Sequence, residues 1–343
     1  MPDIEDINGV SIANVNAFSG VTLSGVEGID GLSLPTPAPA AAYSVRLLGS
    51  AVGISSYTGP AMRVRRDTAG GTGDDDEADI AFDSGVISLD SAISNASAGV
   101  NATTLGEFLN VGTVPPYNGG LAFSDPDSLV NTASCYVVSW KDQSGNGNDA
   151  DQPTAGGSSL QPQIHSGTAN TDLITENGKP ALDFDGSNDY LATAQLTTVS
   201  QPTTKFAVSS FDDVSTLGKG YITDGHTLRQ VIGETPDITS KWRLYAGSQQ
   251  DYVNAPSINV QYLLTAIFDS PSELFVNGSS EGTRSVGTDG FDGVTVGAIA
   301  GVSKSVYHDG VIQELLIWTS DQDAAGNRTA IENDINGYFS IYT

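Results

Sequence analysis

Along the first 34 residues, hydrophobic and polar positions recur with a period of 11. The apolar residues fall into columns: Ile4/Val15/Val26, Ile7/Phe18/Ile29, Val10/Val21/Leu32 and Ile12/Leu23/Leu34. Gly9, Gly20 and Gly31 form a further column. A unit this short cannot bury its own apolar stripe, so it gains stability by stacking on copies of itself or on another chain. An 11-residue period also fits a right-handed coiled coil. Asn8, Asn14, Asn16, the glycines and the β-branched residues argue against helix. The pattern therefore predicts an extended assembly arm over residues 1–34 that becomes ordered only in an oligomer or on a partner. Glycine-punctuated apolar repeats suit three-fold interwinding, so a homotrimer is the favoured state, although a dimer would show the same pattern.

Residues 35–42, Pro-Thr-Pro-Ala-Pro-Ala-Ala-Ala, read as a semi-rigid linker. From Tyr43 onwards the pattern changes to short β-type runs separated by Gly, Asn, Asp, Ser and Pro. Such runs lie at Cys135–Trp140, Ala181–Phe184, Thr204–Ser209, Trp242–Tyr245, Tyr262–Phe268, Glu273–Val276, Val294–Val296 and Val311–Trp318. Their spacing predicts an all-β sandwich over residues 43–343. Asn277-Gly278 marks a tight hairpin. A short helix is expected within 103–109. A second is expected at the C-terminus, capped by Ser320 or Asp321, with Ile331, Ile335, Tyr338 and Phe339 on one face. One composite domain is expected, because residues 43–165 alone lack a full set of strands.

Charge narrows the function. The chain has 41 acidic and 14 basic residues, a net charge of −27. Its one basic cluster is Arg63-Val64-Arg65-Arg66, whose members are expected to pair with internal carboxylates such as Asp79. Nucleic acid and anionic membrane surfaces are poor partners for such a chain. No apolar run approaches the ~18 residues of a membrane-spanning helix, and no signal peptide is read at the start. Cys135, the single cysteine, lies in a strand pattern and is expected in the core. Trp140 and Trp318 are expected there too. The acidic run Asp74–Asp79 lacks the glycine-punctuated order of a calcium loop and reads as a solvated loop.

Two sets of segments resemble known families. Tyr43–Leu48, Ser56–Arg66, Ala78–Phe82 and Trp140–Asp149 resemble the opening of the arabinofuranosidase B-type catalytic domain, a concanavalin-like β-sandwich. The same block resembles one in tail and other structural proteins of bacteriophages. Pro180–Leu191, Leu274–Gly278, Val294–Ala298 and Asp309–Trp318 resemble the laminin-G/pentraxin-like branch of that jelly-roll superfamily. The arm resembles assembly arms of phage structural proteins and has no counterpart in the glycosidase.

The resemblance implies a test for hydrolysis. A retaining glycosidase needs two carboxylates about 5 Å apart. The family's nucleophilic glutamate maps onto Lys241–Gly247, where Trp242 or Arg243 stands in its place. Its acid/base aspartate maps onto Ser272, with Glu273 one residue late and so on the opposite strand face. The family's adjacent cysteines are also missing. The fold without the hydrolysis is expected; Glu234, Asp251, Glu273 and Glu314 are the carboxylates to inspect for the contrary reading. For sugar binding, an aromatic platform of Trp242, Tyr245 and Tyr252 with Asp185, Asn188 and Asp189 is the candidate set, with no cofactor required and calcium possible.

These readings converge on a virion structural protein of a tailed bacteriophage, a fibre, spike or decoration subunit on the particle's exterior. Its arm would hold other virion proteins or its own copies, and its lectin-like sandwich would meet host-surface polysaccharide. An arabinofuranosidase-like hydrolase and a ligand-free capsid cement protein are the alternatives.

Overall fold

The computed structural model describes residues 36–68, 74–110, 133–152, 158–168, 171–214, 220–234, 241–300 and 304–343, together with the backbone of four short strands in the arm. From residue 41 a single network of antiparallel ladders folds into two layers. The front layer runs Gln249–Asp251, Trp242–Tyr245, Val231–Glu234, Tyr221–Asp224, Thr295–Val296, Leu191–Ala192, Ala150–Asp151, Ser134–Trp140, Met62–Asp67, Glu77–Ile80 and Ile93–Ser94. The back layer runs Ser279–Arg284, Ser272–Val276, Tyr262–Phe268, Thr203–Ser209 and Asp309–Trp318. The long last strand then carries Ala41–Ser44 beside one half and Leu182–Asp185 beside the other. Gln163–Ser166 joins Leu182–Asp185 to Ser134–Trp140 and so links the layers. The protein is an all-β jelly-roll sandwich with a short C-terminal helix, as the sequence predicts.

Alternation explains the layering. On the front layer Met62, Ile80, Trp140, Ala150, Leu191, Val296, Ile232 and Leu244 all point to the inter-layer core. Trp242 crosses the gap and meets Tyr262 of the back layer edge-on, ring centroids 5.0 Å apart. The core is continuous from Ala41 to Phe339, so residues 43–165 supply strands to the same sandwich.

The linker expectation is corrected. Residues 36–42 are part of the sandwich: Trp318 Nε1 donates to the Pro37 carbonyl at 2.7 Å, and Ala40 N–H donates to Ile317 O. The loop Asp142–Asp149 clasps this strand. Asp142 accepts from Ala42 N–H, Gln143 donates to the Ser44 and Arg46 carbonyls, and Asn146 and Asn148 donate to Ala40 O. A loop of Asp, Asn and Ser is suited to this, because short polar side chains mimic backbone partners.

In the arm, Asp6–Ile7 pairs with Val10–Ser11 and Ala17–Phe18 with Val21–Thr22, both antiparallel. The two ladders are offset by the 11-residue period, and each brackets the repeat's glycine dipeptide, Asn8-Gly9 or Ser19-Gly20. The described strands of the first two units thus pair locally, in the same register within each repeat. Ile4, Ile12, Val15, Leu23, Val26, Ile29, Leu32 and Leu34 lie outside the described residues.

The C-terminal helix, Arg328–Phe339, buries Ile331, Ile335 and Phe339 against the back layer, while Tyr338 stays partly exposed. It starts later than expected: Asn327 occupies the N-cap, and Asp321 instead closes a preceding turn by accepting from Asp323 and Ala324 N–H. The helix Leu105–Leu109 has Thr104 as a hydrogen-bonding N-cap. Asn277 and Gly278 both have positive φ, 52° and 74°, as a tight hairpin turn requires. Among the described residues no helix is long and apolar enough to cross a membrane.

Candidate functional site

Strand register assembles a polar surface on the outer face of the front layer. Directly opposed residues share a face, so the pairings Ser94–Asp79–Arg63–Ser139–Asp151–Ala192–Thr295–Asp224 form one continuous row across it. A second row, Glu77–Arg65–Tyr136–Gln163–Asp183, runs beside it. Apart from Ala192 and the Tyr136 ring, every member is polar.

The two ends of this surface are fixed. At one end Arg63 pairs with Glu77 and Asp79, and Arg65 with Glu77. The acidic run Asp74–Asp79 is therefore not a free solvated loop, since it neutralises the arginine cluster. At the other end Asp224 is buried and accepts from Arg229, Gly225 N–H and Ala300 N–H. Lys304 donates to Thr295 Oγ1 at 3.1 Å, lies 5.5 Å from the Tyr190 ring centroid, and has no carboxylate within ion-pair distance among the described residues. Burial lowers its pKa, and Asp224 partly offsets that.

The centre is open. Asp151 is exposed, and Tyr136, Gln163 and Ala192 are partly exposed. Ser139 is only 3% exposed, and its Oγ has no hydrogen-bond partner. A buried hydroxyl left unpaired costs about 1–3 kcal/mol, so the fold carries here a polar atom that it does not use, just beneath the exposed Asp151. The Tyr136 hydroxyl is raised by burial and by nearby Asp67 and Asp189. Burial, Asp185 and Asp183 push Asp189 up to about 8. Burial pushes Asp183 to about 6, with Asp212, Asp309 and Asp185 adding to it.

The sequence-predicted sugar residues separate into two groups. Trp242 and Tyr252 are each 1% exposed and belong to the core, so neither offers a ring face to a ligand; that part of the platform is corrected. Tyr245 is partly exposed and carries the Arg229 guanidinium 4.7 Å from its ring centroid, next to Asp224. Asp185, Asn188 and Asp189 form a turn in which Asp185 accepts from the N–H groups of 187, 188 and 189, and Asp189 accepts from Asp185 N–H. Through Tyr190 and Lys304 this turn borders the same end of the polar rows.

Tyr136 and Ser139 were missed by the sequence pattern. Strict alternation places residues three apart on opposite faces, but Arg63 pairs with Ser139 while Val64 pairs with Val137, so Val138 is a bulge. The bulge turns Tyr136 and Ser139 to the same face and leaves Cys135, Val137 and Trp140 in the core.

Three of the carboxylates considered for hydrolysis are engaged by other side chains. Glu314 pairs with Arg46 at 2.8 Å, and Asp251 with Arg243 at 2.7 Å. Glu273 accepts from Ser280. Glu234 lies opposite Trp242 while Asp251 lies opposite Arg243, so those two acids are on opposite faces of the front layer. Arg243, one of the two residues matched to the nucleophile's position, also donates to the Tyr221 hydroxyl. Among the described residues no three His, Cys, Asp or Glu side chains gather as a metal ion would need.

No protein-family model and no curated protein matches the chain. Solved structures do. A GH54 α-L-arabinofuranosidase, a glutamate-to-glutamine mutant soaked with 4-nitrophenyl α-L-arabinofuranoside, is 16% identical, with 87% of this chain and 63% of that one covered and a TM-score of 0.51. A GH54 α-L-arabinofuranosidase soaked with a cyclic sulfate inhibitor gives the same identity and coverage, 16%, 87% and 63%, with a TM-score of 0.50. A heptameric SAP-like pentraxin from Limulus polyphemus matches over 46% of this chain and 84% of its own, with 15% identity and a TM-score of 0.35. The chain spans less than two thirds of the length of the arabinofuranosidases it resembles. At this identity the likeness is one of fold: a β-sandwich of the kind found in glycoside hydrolases.

Proposed function

We propose that this chain is a non-hydrolytic, glycan-binding display protein, with the outer face of the front layer as its binding surface. The observation that carries the reading is the pair of polar rows with the partly exposed Tyr136 and Gln163 and the exposed Asp151 at their centre. A sugar ring presents C–H groups that pack on an aromatic side chain and hydroxyls that both donate and accept. Asp151, Gln163 and Ser139 supply partners in both senses, and Lys304 supplies further donors. The non-hydrolytic reading is supported by the residues at the two matched positions, Trp242 or Arg243 and Ser272, and by the engagement of Glu314 and Asp251 with arginines.

The finer reading is a virion structural protein of a tailed bacteriophage, anchored by residues 1–34 to other virion proteins or to copies of itself, with a trimer as the favoured state. It rests on the resemblance of the segments Tyr43–Leu48, Ser56–Arg66, Ala78–Phe82 and Trp140–Asp149 and on the periodic ladders of the arm. The ordering of those ladders in register with the repeat favours an arm built for stacking over a featureless tail.

A polysaccharide panel tests the binding reading. Wild-type protein should retain at least one neutral glycan, and Tyr136→Ala and Asp151→Ala should each weaken that binding at least about tenfold with unchanged folding. Binding unaffected by either substitution would remove the site, and release of arabinose from an aryl arabinofuranoside would reinstate hydrolysis. For the arm, deletion of residues 1–34 should abolish oligomerisation while the sandwich stays folded; an unchanged assembly would refute it.

A further inference from the structure

A cleft of about 290 Å³ opens on a different part of the molecule, where three distant segments meet. Its floor is Ile87, Leu89 and Leu173, and Pro180 and Tyr338 form apolar walls. Its rim carries Asp90, Asp172 and Lys179. None of these residues belongs to the polar rows of the front layer.

The walls are preformed. The hairpin Thr175–Glu176/Lys179–Pro180 is pinned by Asn177, which donates to the Phe339 carbonyl at 2.7 Å. Gln313 donates to the carbonyls of Glu176, Lys179 and Pro180. The facing wall is tied by Ile87 N–H to Val45 O and by Gly106 N–H to Leu89 O. A ligand would not have to order this cleft, which removes one cost of binding.

The rim chemistry selects the ligand. Lys179 holds its ammonium 4.5 Å from the Tyr338 ring centroid, and among the described residues it makes no ion pair. The carboxylates of Asp90 and Asp172 likewise make none. An anion would face two carboxylates in a chain of net charge −27. A cation would be drawn to the two carboxylates, but the aromatic face that would complete its site, Tyr338, already carries the Lys179 ammonium. A purely apolar ligand would strip water from three charges without replacing it. What remains is a small neutral molecule with an apolar face and a ring of groups that donate and accept. Two carboxylates accept from hydroxyls, the ammonium donates to one, and the floor takes C–H groups. The volume lies just below the usual range for ligand pockets, about 300–1,000 Å³, and suits a single sugar ring.

We infer that this cleft is a second carbohydrate site, taking one neutral monosaccharide unit independently of the front layer. It deepens the glycan-binding reading: two sites on one rigid sandwich let a branched or folded polysaccharide bind through both, at an effective concentration set by their separation.

Saturation-transfer NMR on the full chain, with L-arabinose, D-galactose and D-glucose as probes, tests it. At least one sugar should give a signal that Tyr136→Ala leaves intact. Asp172→Ala and Lys179→Ala should each weaken that binding about tenfold or more, as expected for loss of a charge-assisted hydrogen bond. Thr175→Tyr, an exposed change at the rim, should block it sterically, with thermal melts confirming that each variant folds. Signals insensitive to all three cleft substitutions, or absent for every sugar, would overturn the inference. So would preferential binding of a zwitterion such as leucine over the sugars. Failure of the front-layer reading looks different: Tyr136→Ala would then bind polysaccharide with undiminished, wild-type affinity, whatever the cleft substitutions do.

Discussion

The two layers of the sandwich are built from the same kind of alternating strand, yet their outer faces have opposite fates. On the back layer the outward residues Phe206, Thr265 and Leu316 are covered by the C-terminal helix and the segment after Ser44, and Thr265 donates to Glu332 of that helix. The charges trapped there are matched: Arg46 bonds Glu314 through two nitrogens and reaches Asp334, and Ser44 donates to Glu314. On the front layer the two outward rows are polar apart from Ala192 and the Tyr136 ring, the arginine end is neutralised, and the centre keeps an exposed carboxylate above an unbonded hydroxyl. The covered face has spent its polar groups on holding the fold. The open face carries groups that the fold does not use, and such groups are the ones available to a ligand.

The largest effect should come from breaking the covered face. Arg46→Met leaves Glu314, 1% exposed, without its cation. Removing one partner of a buried pair costs about 3–5 kcal/mol. Urea unfolding should show that loss, whereas the front-face substitution Asp151→Ala should stay within about 0.5 kcal/mol of wild type. Equal costs on both faces would erase the distinction.

A second test lies in the core between them. His308 is fully buried, with Nε2 near Ser209 Oγ and Ser210 O, and its ring packs edge-on against Phe211 at 5.0 Å. Burial lowers its pKa from 6.5 to about 4. The folded state therefore binds fewer protons than the unfolded chain between those values, so stability falls as pH drops through that window. The full difference is worth about 3 kcal/mol. His308→Phe should flatten the stability profile over that range; an unchanged slope would assign the acid sensitivity elsewhere.

How far these features could be read in advance depended on whether the signal was local. Tyr262–Phe268 emerges with the predicted bounds, because seven residues of β-type sequence sit between turn signals. Asn277-Gly278 and the buried helix face at Ile331, Ile335 and Phe339 were equally local. Two kinds of information were not. Arg46 and Glu314 are 268 residues apart, and no sequence window joins them. Trp242 and Arg243 follow a charged turn, and only the packing of Phe211 and Tyr262 around Trp242 decides that it is core. The front-face site failed for a third reason. A single bulge at Val138 reverses the alternation, so a period-2 reading sends Ser139 to the wrong side.

A further effect, with the opposite pH dependence, is expected at the border of the two polar rows. Asp189 has its pKa raised from 3.8 to about 8, chiefly by burial. A raised folded-state value means that stability is complete below the unfolded value and is lost as pH climbs towards the folded one. Asp189→Asn keeps an oxygen for Asp185 N–H and removes the charge, so the variant should melt about 2–4 °C higher than wild type at alkaline pH and match it under acid conditions. A lower melting temperature at both extremes would mean that the carboxylate's bond to Asp185 N–H matters more than its charge.

The smallest effect on stability offers the sharpest contrast between the faces. Ser139→Ala removes a hydroxyl that is buried and bonded to nothing. On the back layer, deleting a polar group breaks a satisfied network and costs stability. Here nothing is broken and an unpaired group is relieved, so unfolding should be unchanged or up to about 1 kcal/mol more favourable to the folded state. If the hydroxyl serves a ligand, the same change should weaken glycan binding about five- to tenfold, roughly the value of one hydrogen bond. A more stable protein that binds less well is the behaviour of a group kept for function. Equal affinity in Ser139→Ala would place this oxygen outside the site and leave Tyr136 and Asp151 to define it.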